Sequence, residues 1–295
     1  MNGSFKKIAS SVLPILALAV LLVFVIYHIV LLVSKGAETV LAQPADESIT
    51  RAIGGYVFRD ETVIFASGSD YFVPTVSDGE RVGAGKTVAV GVDKSGNEVF
   101  AVTSEAGYYY SVADGYEYAF SGDKAKSLTY NNYADVVGAK KSDVSGAAGK
   151  VATSFKWYLA CLEPSADDLT AGATYEVSFG SVSVKMALMT LDKGDDGVLL
   201  VFESMGVPSD MIFERYMTAV ITIPIKNAAY VPTKAIYEQN GTYFVYTFED
   251  GFARRHEVIP IYNRGDVTVI SSGEKIAGSF VIIGKGLYDG KAMHR

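Results

Sequence analysis

Hydrophobic and polar positions follow two regimes along this chain. Between Ile8 and Ser34 no Asp, Glu, Lys or Arg interrupts the apolar residues, and His28 is the only titratable exception besides Tyr27. A helix crossing the hydrocarbon core needs ~20 apolar residues, and this run supplies them with some left for tilt. Pro14 falls near the start, where its missing N–H does least harm. Lys6 and Lys7 precede the run, while Lys35 and Glu38 follow it. The pattern predicts a single N-terminal transmembrane helix embedded in lipid through residues 8–34. The basic pair favours a cytoplasmic N-terminus and a C-terminal ectodomain outside the cytoplasm. A cleaved signal peptide has an apolar region of ~7–15 residues, shorter than this one. Leu41, Ala42 and Gln43 keep cleavage open as the alternative.

Downstream, residues 36–51 are polar, contain Pro44 and read as a juxtamembrane linker or a short helix. Beyond them the period becomes that of strands. Residues 56–58 and 62–65 are short β-branched and aromatic runs, separated by the charged Arg59, Asp60 and Glu61. Val82, Val88 and Val90 continue the pattern, with turns at Asp78-Gly79 and over residues 83–85. Val182, Val184, Met186 and Leu188 alternate with Ser183, Lys185 and Ala187, as on a half-buried strand. Residues 198–202, 218–223, 242–248 and 280–283 follow, each bounded by Gly, Asp or Asn. Helical candidates are few; residues 209–216 are one, with Ser209 or Asp210 as N-cap behind Pro208. Short strands with closely spaced turns predict a mainly β chain of sandwiches or barrels, not a parallel α/β sheet.

Composition narrows the chemistry. With 295 residues, 49% hydrophobic and 20% charged, the chain is a folded protein. A net charge of −7 argues against sequence-independent nucleic-acid binding, which needs clustered Lys and Arg. Cys161 is the only cysteine, so no intramolecular disulfide forms; between Leu159, Ala160 and Leu162 it reads as a small buried hydrophobe. The histidines, His28, His256 and His294, are too dispersed for a His-based zinc site.

Three groups of residues line up with one family. Residues 54–64 and then 77–89 are similar to the first half of a lipoyl-like barrel-sandwich, whose turn reads D-G-x-x-V-x-x-G (Asp78, Gly79, Val82 and Gly85 here). Residues 106–117 resemble the second half. Val231, Pro232, Ala235 and Ile236 fit the V-P-x-x-A-I strand of periplasmic adaptors. A Gly-turn hairpin over residues 240–246 and a G-L-x-D-G element over 286–290 come after it. In this order the chain resembles membrane fusion proteins of the HlyD type, in the short variety of Gram-positive clostridia. The resemblance implies a tip and anchor over 1–35, a linker over 36–51 and barrel-sandwich halves over 52–125. It further implies a connector over 126–148, a β-barrel over 149–228 and a membrane-proximal β domain over 229–295. Relatives that bridge to an outer-membrane channel insert a long helical hairpin between the sandwich halves. Only residues 93–105 stand there in this chain, too few for a two-helix arm at ~1.5 Å per residue.

Candidate chemistry is weak throughout. Residues 83–87 end like a Walker A loop, but the required first Gly falls on Glu80, and strands flank the segment. Asp93-Lys94 resembles the Asp-Lys of lipoylated domains, although a solvated turn fits an exported segment better. Residues 192–197 suggest a calcium loop, yet residues 199–201 read as a strand inside the ligand frame, so a hairpin turn is favoured. Trp157, Tyr158 and residues 108–110 read as half-buried core rather than a binding platform. No nucleophile–base set emerges, and the sequence singles out no catalytic, cofactor, metal or partner-contact residue. The resemblance implies a non-enzymatic adaptor of an efflux or export system. Its expected partners are a transporter in the cell membrane and further copies of itself. The alternative is a structural envelope or division-associated protein using the same fold without transport. An exported enzyme is the third class, and it lacks a site.

Overall fold

The structure, a computed structural model, describes residues 18–26, 38–206 and 214–293. Residues 18–26 form a helix, α1, whose apolar side chains from Leu18 to Ile26 are largely exposed. The rest of the expected membrane span lies outside the described residues. Among the described residues no helix is long and apolar enough to cross a membrane.

The strands then run β1 (Glu38–Leu41), β2 (Gln43–Pro44), β3 (Ser48–Phe65), β4 (Phe72–Pro74), β5 (Arg81–Val82), β6 (Thr87–Val92), β7 (Glu98–Val102) and β8 (Gly107–Tyr110). Helices α2 (Gly122–Lys126) and α3 (Tyr130–Val137) come next. They precede β9 (Ala147–Glu163), β10 (Thr174–Phe179), β11 (Val182–Lys193), β12 (Val198–Met205) and β13 (Tyr216–Pro224). The last strands are β14 (Ala229–Pro232), β15 (Tyr237–Gln239), β16 (Thr242–Glu249), β17 (Phe252–Arg264), β18 (Val267–Ser272) and β19 (Phe280–Ile283). The chain is thus mainly β. It divides into two compact units, Ser48–Ile223 and, apart from it, Met1–Glu47 with Pro224–Arg295.

In the unit Ser48–Ile223, the order β12-β11-β10-β13-β3-β9, with β9 pairing back onto β12, closes a barrel. Alternation fills it: Trp157, Leu159 and Cys161 of β9 meet Leu200 and Phe202 of β12, Met186 and Leu188 of β11 and Ile221 of β13. The intervening residues Tyr158, Ala160, Leu199 and Val201 are buried as well, under Phe120, Ala125, Leu128 and Tyr133 in and around α2 and α3. Burial on both faces is why these strands read as unbroken apolar runs. Each such large side chain contributes roughly 1.5–3 kcal/mol on burial. At Gly55 a side chain would run into the Ala160 carbonyl oxygen and the Cys161 sulfur, so glycine lets β3 and β9 approach.

Strands β3 and β9 outlast the barrel. Their far ends, paired between Glu61↔Ala152 and Phe65↔Ala147, carry β8 and then β5 alongside. Against them lies the three-stranded sheet β4-β6-β7. Ile64, Phe72, Val82, Val88, Ala89, Ala101, Tyr109 and Val151 form the shared core of this sandwich. The two expected half-motifs meet in it, since Arg81 pairs with Tyr108 and Val82 with Gly107. Gly79, with φ of 78°, makes the turn that precedes β5.

Several local expectations are corrected. The charged triplet 59–61 does not separate two strands but lies inside β3, at a register shift between Arg59 and Glu61. Helices α2 and α3 occupy the region expected to be sandwich end and connector. Thr129 and Asn132 form a reciprocal capping box that starts α3. The helical candidate over 209–216 lies largely outside the described residues, and Tyr216 opens β13 instead.

The other unit is a sheet ordered β1-β19-β16-β17-β18-β14-β2, with β15 on β16. Its first and last strands belong to one stretch, 38–44, broken only at buried Ala42, so this stretch closes the sheet on itself. Residues 38–44 are therefore strand rather than the expected linker, because their backbone groups find partners on β19 and β14. Strand β17 serves two neighbours, pairing first with β16 and then with β18 across a shift between Pro260 and Tyr262. Val231 and Ala235 of the V-P-x-x-A-I stretch sit in the core with Val245, Val258, Ile270 and Val281. Asn240 and Gly241 both have positive φ, as a type I′ hairpin turn requires.

Candidate functional site

Where β3 passes from barrel to sandwich, its inward positions change from apolar to charged. Arg59 and Glu61 lie there, 2% and 7% exposed. Arg59 Nε donates to Glu61 Oε1 at 2.9 Å, and its Nη2 also pairs with that oxygen. Lys150 Nζ of β9 reaches Glu61 Oε2 at 3.0 Å, and Arg215 Nη2 reaches the same oxygen at 2.9 Å. Arg215 also grips Asp114 in bidentate fashion, Nε to Oδ2 at 3.0 Å and Nη2 to Oδ1 at 2.9 Å. Lys150 stands 3.3 Å from Glu117 Oε1, which accepts from the Asp114 backbone N–H at 2.7 Å. The Arg59 guanidinium lies 4.5 Å from the Tyr110 ring centre, and that of Arg215 5.2 Å from the Phe120 ring centre.

Three cations thus meet three carboxylates, and the cluster is formally neutral. Burial pushes the Glu61 carboxyl up, but Arg59, Lys150 and Arg215 together outweigh it and hold it below the usual range. Burial acts likewise on Asp114 and is overcome by the Arg215 hydrogen bonds and charge and by Lys150. Every charge is met by an opposite one, as an ion cluster buried for structure requires. Asp60, on the opposite side of β3, accepts from the Gly122 N–H at 2.8 Å and holds the start of α2. No member of the cluster was singled out in the sequence. The available signal was parity: Val57, Arg59 and Glu61 share one strand face, and charged residues at inward positions demand partners.

The sequence-level candidates fall elsewhere. Lys94 is exposed at the tip of the β6–β7 hairpin. Asp93 beside it is occupied with the turn, accepting from Asn97 Nδ2 at 3.0 Å and from the Asn97 and Ser95 N–H groups at 2.8 Å. The Asn97 side chain, followed by these backbone bonds, keeps the Asp93 carboxyl low. An open groove of about 780 Å³ adjoins the tip, lined by Ser69, Tyr71, Val73, Val90, Val92 and Lys94 among others. Thr87 of the Walker-like stretch opens β6, a strand, so no helix N-terminus faces the loop. Residues 194–197 are the hairpin turn between β11 and β12, closed by the Gly194 N–H to the Gly197 carbonyl at 2.8 Å. Asp192 accepts from the Tyr130 N–H at 2.8 Å and so fastens α3 to that hairpin. Cys161 is fully buried, and burial pushes its thiol up, away from nucleophilic chemistry. Trp157, Tyr158 and Tyr109 are core residues; Tyr109 Oη donates to the Ala148 carbonyl at 2.8 Å. His28 and His294 lie outside the described residues. His256 is held between Glu274, 3.0 Å from Nδ1, and Glu249, 3.1 Å from Nε2.

No family model matches the chain, and no curated protein matches it. Solved structures similar to this chain over most of their length include these three. ZneB from Cupriavidus metallidurans is 10% identical over 86% of this chain and 94% of its own, with a TM-score of 0.34. MacA from Actinobacillus actinomycetemcomitans is 11% identical over 84% of this chain and 100% of its own, with a TM-score of 0.37. A candidate efflux transporter from Bacteroides eggerthii is 13% identical over 88% of this chain and 93% of its own, with a TM-score of 0.35.

Proposed function

We propose that this chain is a membrane-anchored, non-catalytic adaptor of an export system. Its N-terminus lies in the cytoplasm and its β modules on the far side of the membrane. The observation that supports the reading is the passage of β3 and β9 through both a closed barrel and a sandwich. The D-G-x-x-V-x-x-G turn leads into β5, which pairs with β8 from residues 106–117 in one sheet of that sandwich, and this supports the module plan of the HlyD-type proteins that the sequence resembles. The apolar run over 8–34 serves as the anchor. The charged residues that are buried balance one another and support the scaffold, so the work of the protein is mechanical. It assembles with further copies of itself and contacts a multi-spanning transporter. Cross-linking from the ectodomain in native membranes tests this. Recovery of a multi-spanning transporter is expected, and recovery of soluble wall components alone overturns the reading.

One observation favours a second role. The hairpin that joins β6 and β7 turns over residues 93–97, where bridging members of the resembled family carry a long helical arm. A structural envelope protein would need no such arm. Under that reading, a deletion strain keeps its export of drugs and peptides and changes its shape or division.

A further inference from the structure

His256 is the only histidine among the described residues, and it stands on β17 of the sheet that residues 38–44 close. It pairs with Val245 of β16, so alternation puts its ring on the face that carries Val245, Thr247 and Glu249. Val245 and Val258 on that face belong to the core, while the His256 side chain remains 18% exposed. Against it comes the segment 273–279, which joins β18 to β19. Ile276 of this segment is buried in the same core. The Gly278 N–H donates to the Ala42 carbonyl at 2.8 Å, and the Ser279 carbonyl accepts from the Ala42 N–H at 2.9 Å. The segment therefore seats on residues 38–44 at the point where they close the sheet.

Both ring nitrogens of His256 face acceptors. Nδ1 lies 3.0 Å from Glu274 Oε2 of the segment, and Nε2 lies 3.1 Å from Glu249 Oε1 of β16. Thr247 Oγ1 is 2.9 Å from Nε2 as well, but its hydrogen goes to Glu249 Oε1 at 2.6 Å. Thr247 thus turns a lone pair toward the ring. A neutral imidazole has one N–H and satisfies one side only, leaving its other nitrogen lone pair to lone pair with an oxygen. An imidazolium donates on both sides, and such charge-assisted bonds are the strong kind. Hydroxyl, imidazole and second carboxylate stand in the order of a hydrolytic triad, yet Thr247 is 1% exposed and no substrate reaches it. The two carboxylates lie on opposite ring nitrogens, so the three groups cannot share one metal ion either.

The other charges nearby do not replace the ring. Arg254, on the same face of β17, acts on Glu249. The Thr247 hydrogen bond, and after it His256, hold the Glu249 carboxyl below its ordinary range. Arg255 and Glu257 flank His256 on the opposite face, and Lys275 is exposed beside Glu274. Strands β18 and β19 carry no titratable side chain.

We propose that His256 is a pH-sensitive latch: protonated, it ties the segment 273–279 to β16 through Glu274 and Glu249, and neutral, it lets the segment lift from residues 38–44. Imidazole changes charge between about pH 5 and 8. The tie is fully present at the acid end of that window and is lost as pH rises through it. That is opposite in sign to a carboxylate held by Arg and Lys, whose contribution is lost as pH falls. The latch does not depend on the compartment in which this unit stands.

Hydrogen exchange of the full-length chain tests it, with rates corrected for the intrinsic pH dependence of exchange. Gly278 and Ser279 report the seating, because their N–H groups donate to the Ala42 and Ile276 carbonyls. Protection over residues 273–279 is expected to fall about tenfold from about pH 5.5 to about pH 8, while protection in β11 stays level. Glu274→Gln, at a side chain 77% exposed, should abolish the fall. His256→Gln should abolish it too. Melting of both variants at about pH 8, where the native latch is open, should match that of the native chain and so separates loss of the tie from loss of the fold. No fall in the native chain overturns the proposal. An equal fall in Glu274→Gln also overturns it, even where His256→Gln abolishes the fall, since the ring would then act through Glu249 alone.

Discussion

Glu61 receives Arg59, Lys150 and Arg215 on its two oxygens, so its removal leaves three cations facing a water-poor junction. Asp114 and Glu117 cannot neutralise all three. Glu61→Ala should therefore destabilise the unit Ser48–Ile223 by about 3–5 kcal/mol, the range for breaking a buried ion pair from one side. Denaturant titration followed by Trp157 fluorescence would measure it, and an unchanged midpoint would refute the structural role. The same cluster sets a pH response. Glu61 and Asp114 have folded-state pKa values below their unfolded ones, so their contribution is fully present above the ordinary carboxylate range. It is lost as pH falls from about 4 toward the depressed folded values. Thermal melting should be flat from neutral pH to about 5 as far as these groups are concerned and should fall below that. Glu61→Gln should flatten the acid limb while lowering stability at neutral pH.

At the scale of elements, two features invite substitution. Gly55 of β3 faces Cys161 of β9, and the atom nearest a new side chain is the backbone oxygen of Ala160, which has no rotamer to escape into. Gly55→Ala should cost about 1–3 kcal/mol, the usual range for overpacking, although alanine is the smallest possible addition. Thr129→Ala, removing the hydroxyl that accepts from the Asn132 N–H, should cost about 1 kcal/mol. Chemical denaturation reads both, with the larger loss expected at Gly55.

These elements also show what could be read from the sequence. Alternation exposed β11, and the apolar runs exposed β12, β16 and β19, because burial leaves its period in the residues themselves. Cys161 and Trp157 were legible as core for the same reason. The triplet 59–61 was misread as a break because a strand buried by long-range ion pairing looks polar locally; its partners are Lys150 and Arg215, far along the chain. Helices α2 and α3 were missed for a related reason. Each is under three turns, and their packing surface is the outside of a barrel formed by distant strands. Residues 38–44 looked like a linker because edge pairing through backbone groups needs no apolar pattern.

At the scale of the whole molecule, the proposed placement depends on the run over 8–34 remaining in lipid. On that proposal about 20 apolar residues hold a helix in the bilayer, and two lysines before the run against one after it favour a cytoplasmic N-terminus. A tag fused after Arg295 should therefore be digested by protease added to intact protoplasts, while a tag before Met1 should survive until lysis. Exchanging Lys6 and Lys7 for glutamine removes the leading basic pair, so a fraction of chains should insert in reverse and shield the C-terminal tag. Deleting residues 8–34 should move the protein from the membrane to the soluble fraction and, without export, leave it inside the cell. Protection of the Arg295 tag in the unmodified chain would place the β units in the cytoplasm. An adaptor standing outside the membrane would then have no basis, whatever the similarity of its modules.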